Sequence, residues 1–253
     1  LSIVLDKSSS MSGQPLFEAK QAAIMMVNKM RPTDQVSVVA YNQIAHLIIP
    51  TTSCKNKGEI INAIHNIYEG GMTNLHSGWL MGAEQVALKK DIKSINRILL
   101  LSDGNANKGV TDLGELKNHC SRLAETSITT STYGLGSHFN EELMISMAGA
   151  GLGHSYYGQT SNDLMDPFNE EFETLLNTVA TELQVVSEHP NFVKLELMNN
   201  YNIMENNSNL LKFKMPDLAE NGEAWALFKI KIHKENVQNE RLEVLRCNLS
   251  YKN

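Results

Sequence analysis

The stretch LDKSSSMSG, residues 5–13, sets Asp6, Ser8 and Ser10 at alternate positions directly after an apolar run from Leu1 to Leu5. Two other segments offer oxygen in a comparable setting. EGGMTNL places Thr73 on a glycine-rich loop ahead of a helical pattern, and LLLSDGNAN ends the most apolar run of the chain at Asp103. Two carboxylates and three hydroxyls include no nitrogen or sulfur donor, and oxygen-only sets suit hard cations such as Mg²⁺, Mn²⁺ or Ca²⁺. If the neutral hydroxyls bound the ion directly and the carboxylates acted partly through water, the ion would keep most of its charge. It would then favour a carboxylate offered by another molecule, which is binding without a catalytic step. Each group alone has a simpler use. Asp and Ser after a strand cap helices or make turns, Thr73 could cap the helix from Leu75, and Asp-Gly is ordinary turn chemistry. The case rests on all of them arriving together at one edge of the fold.

The elements that would bring them there alternate. Apolar strands are predicted at Ser2–Leu5, Gln35–Tyr41, Ile44–Pro50, Ile95–Leu101, Ile128–Leu135 and Ser155–Gly158. Helical spacing is predicted over Pro15–Met30, Glu59–Tyr68, Leu75–Lys89, Leu113–Glu125, Glu141–Ala148 and Leu164–Leu183. Only a short turn separates the second and third strands, so these two must form an antiparallel hairpin. The pattern is α/β: a doubly wound, mostly parallel six-stranded sheet with helices on both faces. In such sheets ligands sit beyond the carboxyl ends of the strands, where Asp6 and Asp103 fall.

After about residue 188 the pattern changes to period two. FVKLELM, LLKFKM, ALFKIKIH and EVLRCNLSY are separated by turn-rich pieces, and they predict a small antiparallel module of about four strands over 188–253. That module offers no candidate chemistry and reads as a structural or docking unit. About 65 residues fold alone only marginally. Since Leu1 opens inside what reads as a core strand, further sequence is expected upstream, and it could complete this module.

A net charge of −6, with no basic run or Lys/Arg stripe interleaved with aromatics, argues against nucleic acid as a partner. No apolar stretch approaches the roughly 20 residues that span a bilayer. Cys54, Cys120 and Cys247 are odd in number and far apart, so they read as buried or half-buried free thiols. That pattern leans towards a reducing, cytoplasmic compartment without fixing the location. Trp79 and Trp225 read as core residues, His76 as part of a solvated helix face, and His138 as a loop residue. GLGSHF and GAGLGH fail the Gly-x-Gly-x-x-Gly spacing, and no nucleophile elbow exists.

Residues 1–185 resemble a von Willebrand factor A domain. All five positions of that family's metal-ion-dependent adhesion site (MIDAS) are matched. RPTDQVSVVAYN, GGMTNL, RILLLSDGNANKG and STYGLGSHFNEELM are similar to its bacterial branch. The resemblance implies strand order 3-2-1-4-5-6 with strand 3 antiparallel at the edge. It also implies a divalent cation, usually Mg²⁺, held directly by Ser8, Ser10 and Thr73 and mostly through water by Asp6 and Asp103. A partner protein's Asp or Glu would complete the shell. The implied function is non-enzymatic protein binding; the alternative is an assembly subunit acting with an AAA-type ATPase or a metal-insertion complex. In some relatives, motion of the last helix, here Leu164–Leu183, couples to the metal site. One position departs from the family pattern: Ser9 stands where glycine is common, which bears on loop geometry. Residues 188–253 resemble the small β-sandwich that flanks the domain in some bacterial members.

Overall fold

The computed structural model describes the chain except for residues 92–93, 137–138, 161, 165, 168, 171–177, 221, 233–241 and 253. It divides into two compact units, Leu1–Phe172 and Glu173–Asn253.

The first unit is built on six strands: β1 (Ser2–Asp6), β2 (Gln35–Tyr41), β3 (Ala45–Ser53), β4 (Arg97–Ser102), β5 (Thr129–Leu135) and β6 (Leu152–Gly158). They lie in the order β3-β2-β1-β4-β5-β6. Every pair is parallel except β2 with β3, as the short hairpin turn requires. Among the described residues, helices α1 (Gln14–Lys29), α2 (Lys57–His65), α3 (Leu75–Leu88), α4 (Leu113–Glu125) and α5 (Glu141–Ala150) cover the sheet.

The strands are apolar on both faces because each face has helices to bury against. Ile3 and Leu5 pack on one side, with Leu16, Ala19, Ala23 and Val27 of α1 and Ile60 and Ile64 of α2. Val4, Ile98 and Leu100 pack on the other, with Leu75, Trp79 and Val86 of α3, Leu116 of α4 and Met147 of α5. Local signals set where the helices start. Pro15 sits in the first turn of α1. The side chains of Asn74, Asp112 and Asn140 accept hydrogen bonds from backbone N–H groups at the starts of α3, α4 and α5. The loop before α3 and the loop after β4 are therefore each fixed where they enter their helix.

The second unit differs from expectation at its start. Thr178–Leu183, predicted as the end of a helix, belongs to strand β7 (Thr178–Glu188); residues 171–177 of that predicted helix lie outside the described residues. Glu182 has φ 52, a bulge-like break that puts buried Ala180 and Leu183 three positions apart. That spacing imitates a helix, while pairing with three strands holds the segment extended.

The four predicted strands are present as β8 (Val193–Leu197), β10 (Leu210–Lys214), β12 (Phe228–Ile232) and β13 (Arg246–Lys252). Two shorter ones, β9 (Ile203–Asn206) and β11 (Leu218–Ala219), add to them. β7 pairs antiparallel with β10, β11 and β13, while β8 and β12 form a separate two-stranded sheet. The core is small: Ala180, Leu183, Val185, Leu211, Phe213 and Met215.

Trp225 is 72% exposed, contrary to its expected core position. Trp79, at 2%, is a core residue as predicted, and its indole N–H donates to Thr130 Oγ1 at 3.0 Å. The two tryptophans should therefore answer differently to substitution. Trp79→Phe loses a buried hydrogen bond and volume and is expected to cost about 1–3 kcal/mol. Trp225→Ser is expected to stay within about 0.5 kcal/mol of the wild type. Urea unfolding midpoints compare the two, and equal costs would contradict this packing.

Of the cysteines, Cys54 and Cys120 are buried and Cys247 is exposed, against expectation for the last. Burial pushes the Cys54 thiol up to about 11 and the Cys120 thiol higher still, so both stay protonated. Among the described residues no helix is long and apolar enough to cross a membrane.

Candidate metal centre

Asp6 is the last residue of β1 and is fully buried. Its carboxylate accepts three hydrogen bonds: Ser8 N–H to Oδ1 at 2.9 Å, Ser102 Oγ–H to Oδ2 at 2.7 Å and the Tyr41 hydroxyl to Oδ2 at 3.1 Å. Burial pushes its pKa above the ordinary carboxyl value. The bonds from Ser102 and Ser8 pull it back, and the neighbouring Asp103 charge raises it further. Asp103 follows β4 and is also buried. Its Oδ1 accepts from Asn105 N–H at 3.0 Å and its carbonyl from Asn140 N–H at 2.8 Å.

The hydroxyls come from two loops that are stitched together. Ser8 is buried, Ser10 is exposed, and their hydroxyl oxygens stand 3.1 Å apart. Ser9 occupies a 3-10 turn and needs no positive φ. Its N–H donates to Gly71 C=O and its Oγ accepts from Gly71 N–H, both at 3.0 Å. Ser9 therefore replaces glycine without strain and adds a tie to the neighbouring loop. Gly70 and Gly71, at φ 140 and 91, take conformations that side chains disfavour. They allow the chain to turn back so that Gly70 N–H also reaches Lys7 C=O at 2.8 Å.

Thr73 is buried. Its N–H donates to Asn107 Oδ1 at 2.9 Å, and its C=O accepts from the N–H groups of Asn107 and Lys108 at 3.0 and 3.1 Å. Those bonds use the backbone of Thr73, which leaves its hydroxyl as the group on offer. The three loops carrying Asp6/Ser8/Ser10, Thr73 and Asp103 are thus linked by backbone hydrogen bonds at one end of the sheet.

The donor set fits a small hard cation. Two oxygens at adjacent corners of an octahedron, each about 2.0–2.1 Å from Mg²⁺, stand roughly 2.9–3.0 Å apart, close to the Ser8–Ser10 separation. Among the described residues no three His, Cys, Asp or Glu side chains gather in a way that could hold a metal. A site here therefore depends on hydroxyls.

Several supporting residues escape sequence reasoning. Tyr41 and Ser102 end the strands on either side of β1, and they steady Asp6. Asn107 joins the Thr73 loop to the Asp103 loop. The available signal is that β1, β2 and β4 all end in polar side chains, Asp6, Tyr41 and Ser102. His76 is not on a solvated face: it is half-buried, with Nε2 3.0 Å from His119 Nδ1. His138 lies outside the described residues.

The profile of the von Willebrand factor type A domain matches residues 1–170. YfbK of Escherichia coli strain K12 is 33% identical over 187 residues, covering 73% of this chain and 32% of YfbK. The chain thus spans about a third of that relative's length. Among solved structures, a von Willebrand factor type A protein from Catenulispora acidiphila superposes with a TM-score of 0.78 at 14% identity, covering 99% of this chain and 62% of that one. Proximal thread matrix protein 1 from the mussel byssus, with a zinc-occupied MIDAS motif, gives 0.54 at 19% identity over 67% of this chain and 43% of its own. With the profile matched from β1 past β6 and the strand order of that fold present in the sheet, the chain belongs to the von Willebrand factor type A domain family.

Proposed function

We propose that the first unit is a divalent-cation-dependent protein-binding module. Ser8, Ser10 and Thr73 would hold the cation directly, and Asp6 and Asp103 would steady it, mostly through water. Mg²⁺ is the expected ion, with Mn²⁺ or Ca²⁺ as substitutes. The observation that carries this reading is the pair of serine hydroxyls 3.1 Å apart above a buried carboxylate. When bound, the cation supplies a positive charge with a coordination position open to an Asp or Glu carboxylate of another protein. The chain's own part is to orient neutral oxygens and keep its carboxylates back, so that the charge is not quenched. The zinc-occupied MIDAS motif of the mussel byssus protein supports a cation on this fold. Family membership supports interaction between proteins as the output. In this reading residues 188–253, resembling a small β-sandwich, serve a structural or docking role.

Calorimetric titration with Mg²⁺ is expected to show one site in the wild type and at least a tenfold loss in Thr73→Ala, a substitution that leaves the loop's backbone bonds in place. Proteins retained from a lysate by the immobilised chain in Mg²⁺ should be released by a chelator. Equal Mg²⁺ affinity in the variant, or retention unchanged by chelator, contradicts the proposal.

A further inference from the structure

We propose that the hydroxyl-rich site selects a partner carboxylate that has a large apolar side chain beside it, and that Met72 and Ile44 receive this apolar neighbour. The inference rests on the proposed function, since the cation is what holds the carboxylate. Met72 directly precedes Thr73, and Ile44 closes the turn between β2 and β3. β2 runs parallel to β1 with Tyr41 paired to Asp6, so the turn after Tyr41 lies at the edge of the sheet where Asp6 ends its strand. Met72 is 50% exposed and Ile44 58%. One exposed apolar residue on a surface means little. Here two are carried by adjoining loops, and one of them is next in sequence to a candidate ligand.

The two loops are fastened to each other. Asn74 N–H donates to Asn42 C=O at 2.8 Å, Asn42 Nδ2 to Gly70 C=O at 2.7 Å and Met72 N–H to Gln43 Oε1 at 3.3 Å. Their approach is close enough that a β-carbon on Gly71 would lie 2.4 Å from Gln43 Oε1. Within the turn, Asn42 N–H donates to Ile44 C=O at 3.1 Å and Ile44 N–H to Asn42 Oδ1 at 3.2 Å. The backbone of both apolar residues is therefore held before any partner arrives, and little ordering cost remains for binding. Polar residues would serve a turn and a glycine-rich loop equally well, whereas apolar ones gain from being covered. Charge points to an acidic partner. The chain carries −6 overall, yet outside Asp6 and Asp103 the segments 7–13, 42–44, 68–74 and 104–111 carry Lys7 and Lys108 against Glu69 alone. Lys108 is exposed and its N–H is bound to Thr73 C=O. That border favours an acidic segment of another protein over a second copy of this acidic chain.

The probe is a library of short peptides with one fixed aspartate among randomised neighbours, and a matching library with asparagine in its place is the reference. Peptides held by the immobilised chain in Mg²⁺ are released with chelator and sequenced. In the wild type, Leu, Ile, Met and Phe within two positions of the aspartate are expected to be enriched over Ser by at least about tenfold. Leu88→Ser should behave as the wild type, because that exposed residue lies at the far end of α3 from Thr73. Met72→Ser combined with Ile44→Ser should bring the enrichment down to within about twofold, with Mg²⁺ affinity measured by calorimetry also unchanged within about twofold. Aspartate-dependent release with no apolar preference overturns the inference and leaves the proposed function standing, as does a preference that the double variant keeps or that Leu88→Ser loses. A double variant that loses Mg²⁺ affinity also overturns it, since the two residues would then build the site and not read the partner. Equal release from the aspartate and asparagine libraries would sink the proposed function and this inference with it.

Discussion

Asp6→Asn is expected to lower Mg²⁺ affinity roughly 10–100-fold while leaving the metal-free protein at least as stable as the metal-free wild type at neutral pH. The two halves have one cause. Asp6 is fully buried, and its charge faces the charge of Asp103. Hydrogen bonds from Ser8, Ser102 and Tyr41 offset part of the desolvation, yet the pKa in the folded state remains above the ordinary carboxyl value. A folded-state pKa that is raised means the folded form binds the proton more tightly than the unfolded form. The group's contribution to stability is therefore fullest below the unfolded carboxyl pKa and is lost as pH rises through the folded value. At neutral pH, without metal, the ionised carboxylate is an unfavourable element of the fold, and a cation reverses the sign. Asparagine keeps the shape and an acceptor for Ser8 N–H, its Nδ2 facing the Ser102 and Tyr41 hydroxyls as a donor once these turn to accept, and it carries no charge, so it removes the penalty and the attraction together. Urea unfolding with chelator and with Mg²⁺, at acid and neutral pH, separates the effects. A metal-free Asn variant far less stable than wild type would mean that Asp6 is held for its hydrogen bonds alone.

What could be read from the sequence, and what could not, follows from how local each determinant is. The five oxygen-bearing residues could be nominated from the sequence because each lies at or near the end of a recognisable element, as Asp6 ends β1 and Asp103 follows β4. The alternating pattern also implies that these ends share one edge. The supports of Asp6 were not legible. Tyr41 and Ser102 reach it only because β2 and β4 flank β1, and that lateral order is set by the crossovers rather than by neighbouring residues. His76 looked solvated because polar residues open helices, while its partner His119 lies 43 positions away. β7 was mistaken for helix because the Glu182 break places Ala180 and Leu183 at helical spacing. Trp225 looked like core because indoles are usually buried, but the small core of the second unit is already occupied by Phe213, Leu183 and their neighbours.

Gly78→Ala is expected to destabilise the protein by about 1–3 kcal/mol and to weaken Mg²⁺ binding, although in an exposed helix the same change stabilises by up to about 1 kcal/mol. A β-carbon at Gly78 would lie 2.3 Å from Tyr41 Cδ1, 2.4 Å from its Cγ and 2.8 Å from its Cβ. Those distances are well inside van der Waals contact, and they involve the root of the ring rather than a flexible tip. Tyr41 is fully buried at the end of β2, so the ring cannot swing into solvent. Either α3 lifts from the sheet or the ring shifts, and a shifted ring loses its hydrogen bond to Asp6 Oδ2. The lesion is thus transmitted from a helix glycine to the carboxylate under the serine loop. Tyr41→Phe isolates the hydroxyl, since it removes the bond to Asp6 with the ring in place and should lower Mg²⁺ affinity at smaller cost to stability. Tyr41→Ala removes Cγ and Cδ1, the two nearest atoms, so Gly78→Ala should cost at least about 1 kcal/mol less in that background than in the wild type, as expected of contacting residues. Strictly additive effects in this cycle, or a stabilised Gly78→Ala protein with unchanged Mg²⁺ affinity, would mean that α3 does not sit against Tyr41 as closely as the fold requires.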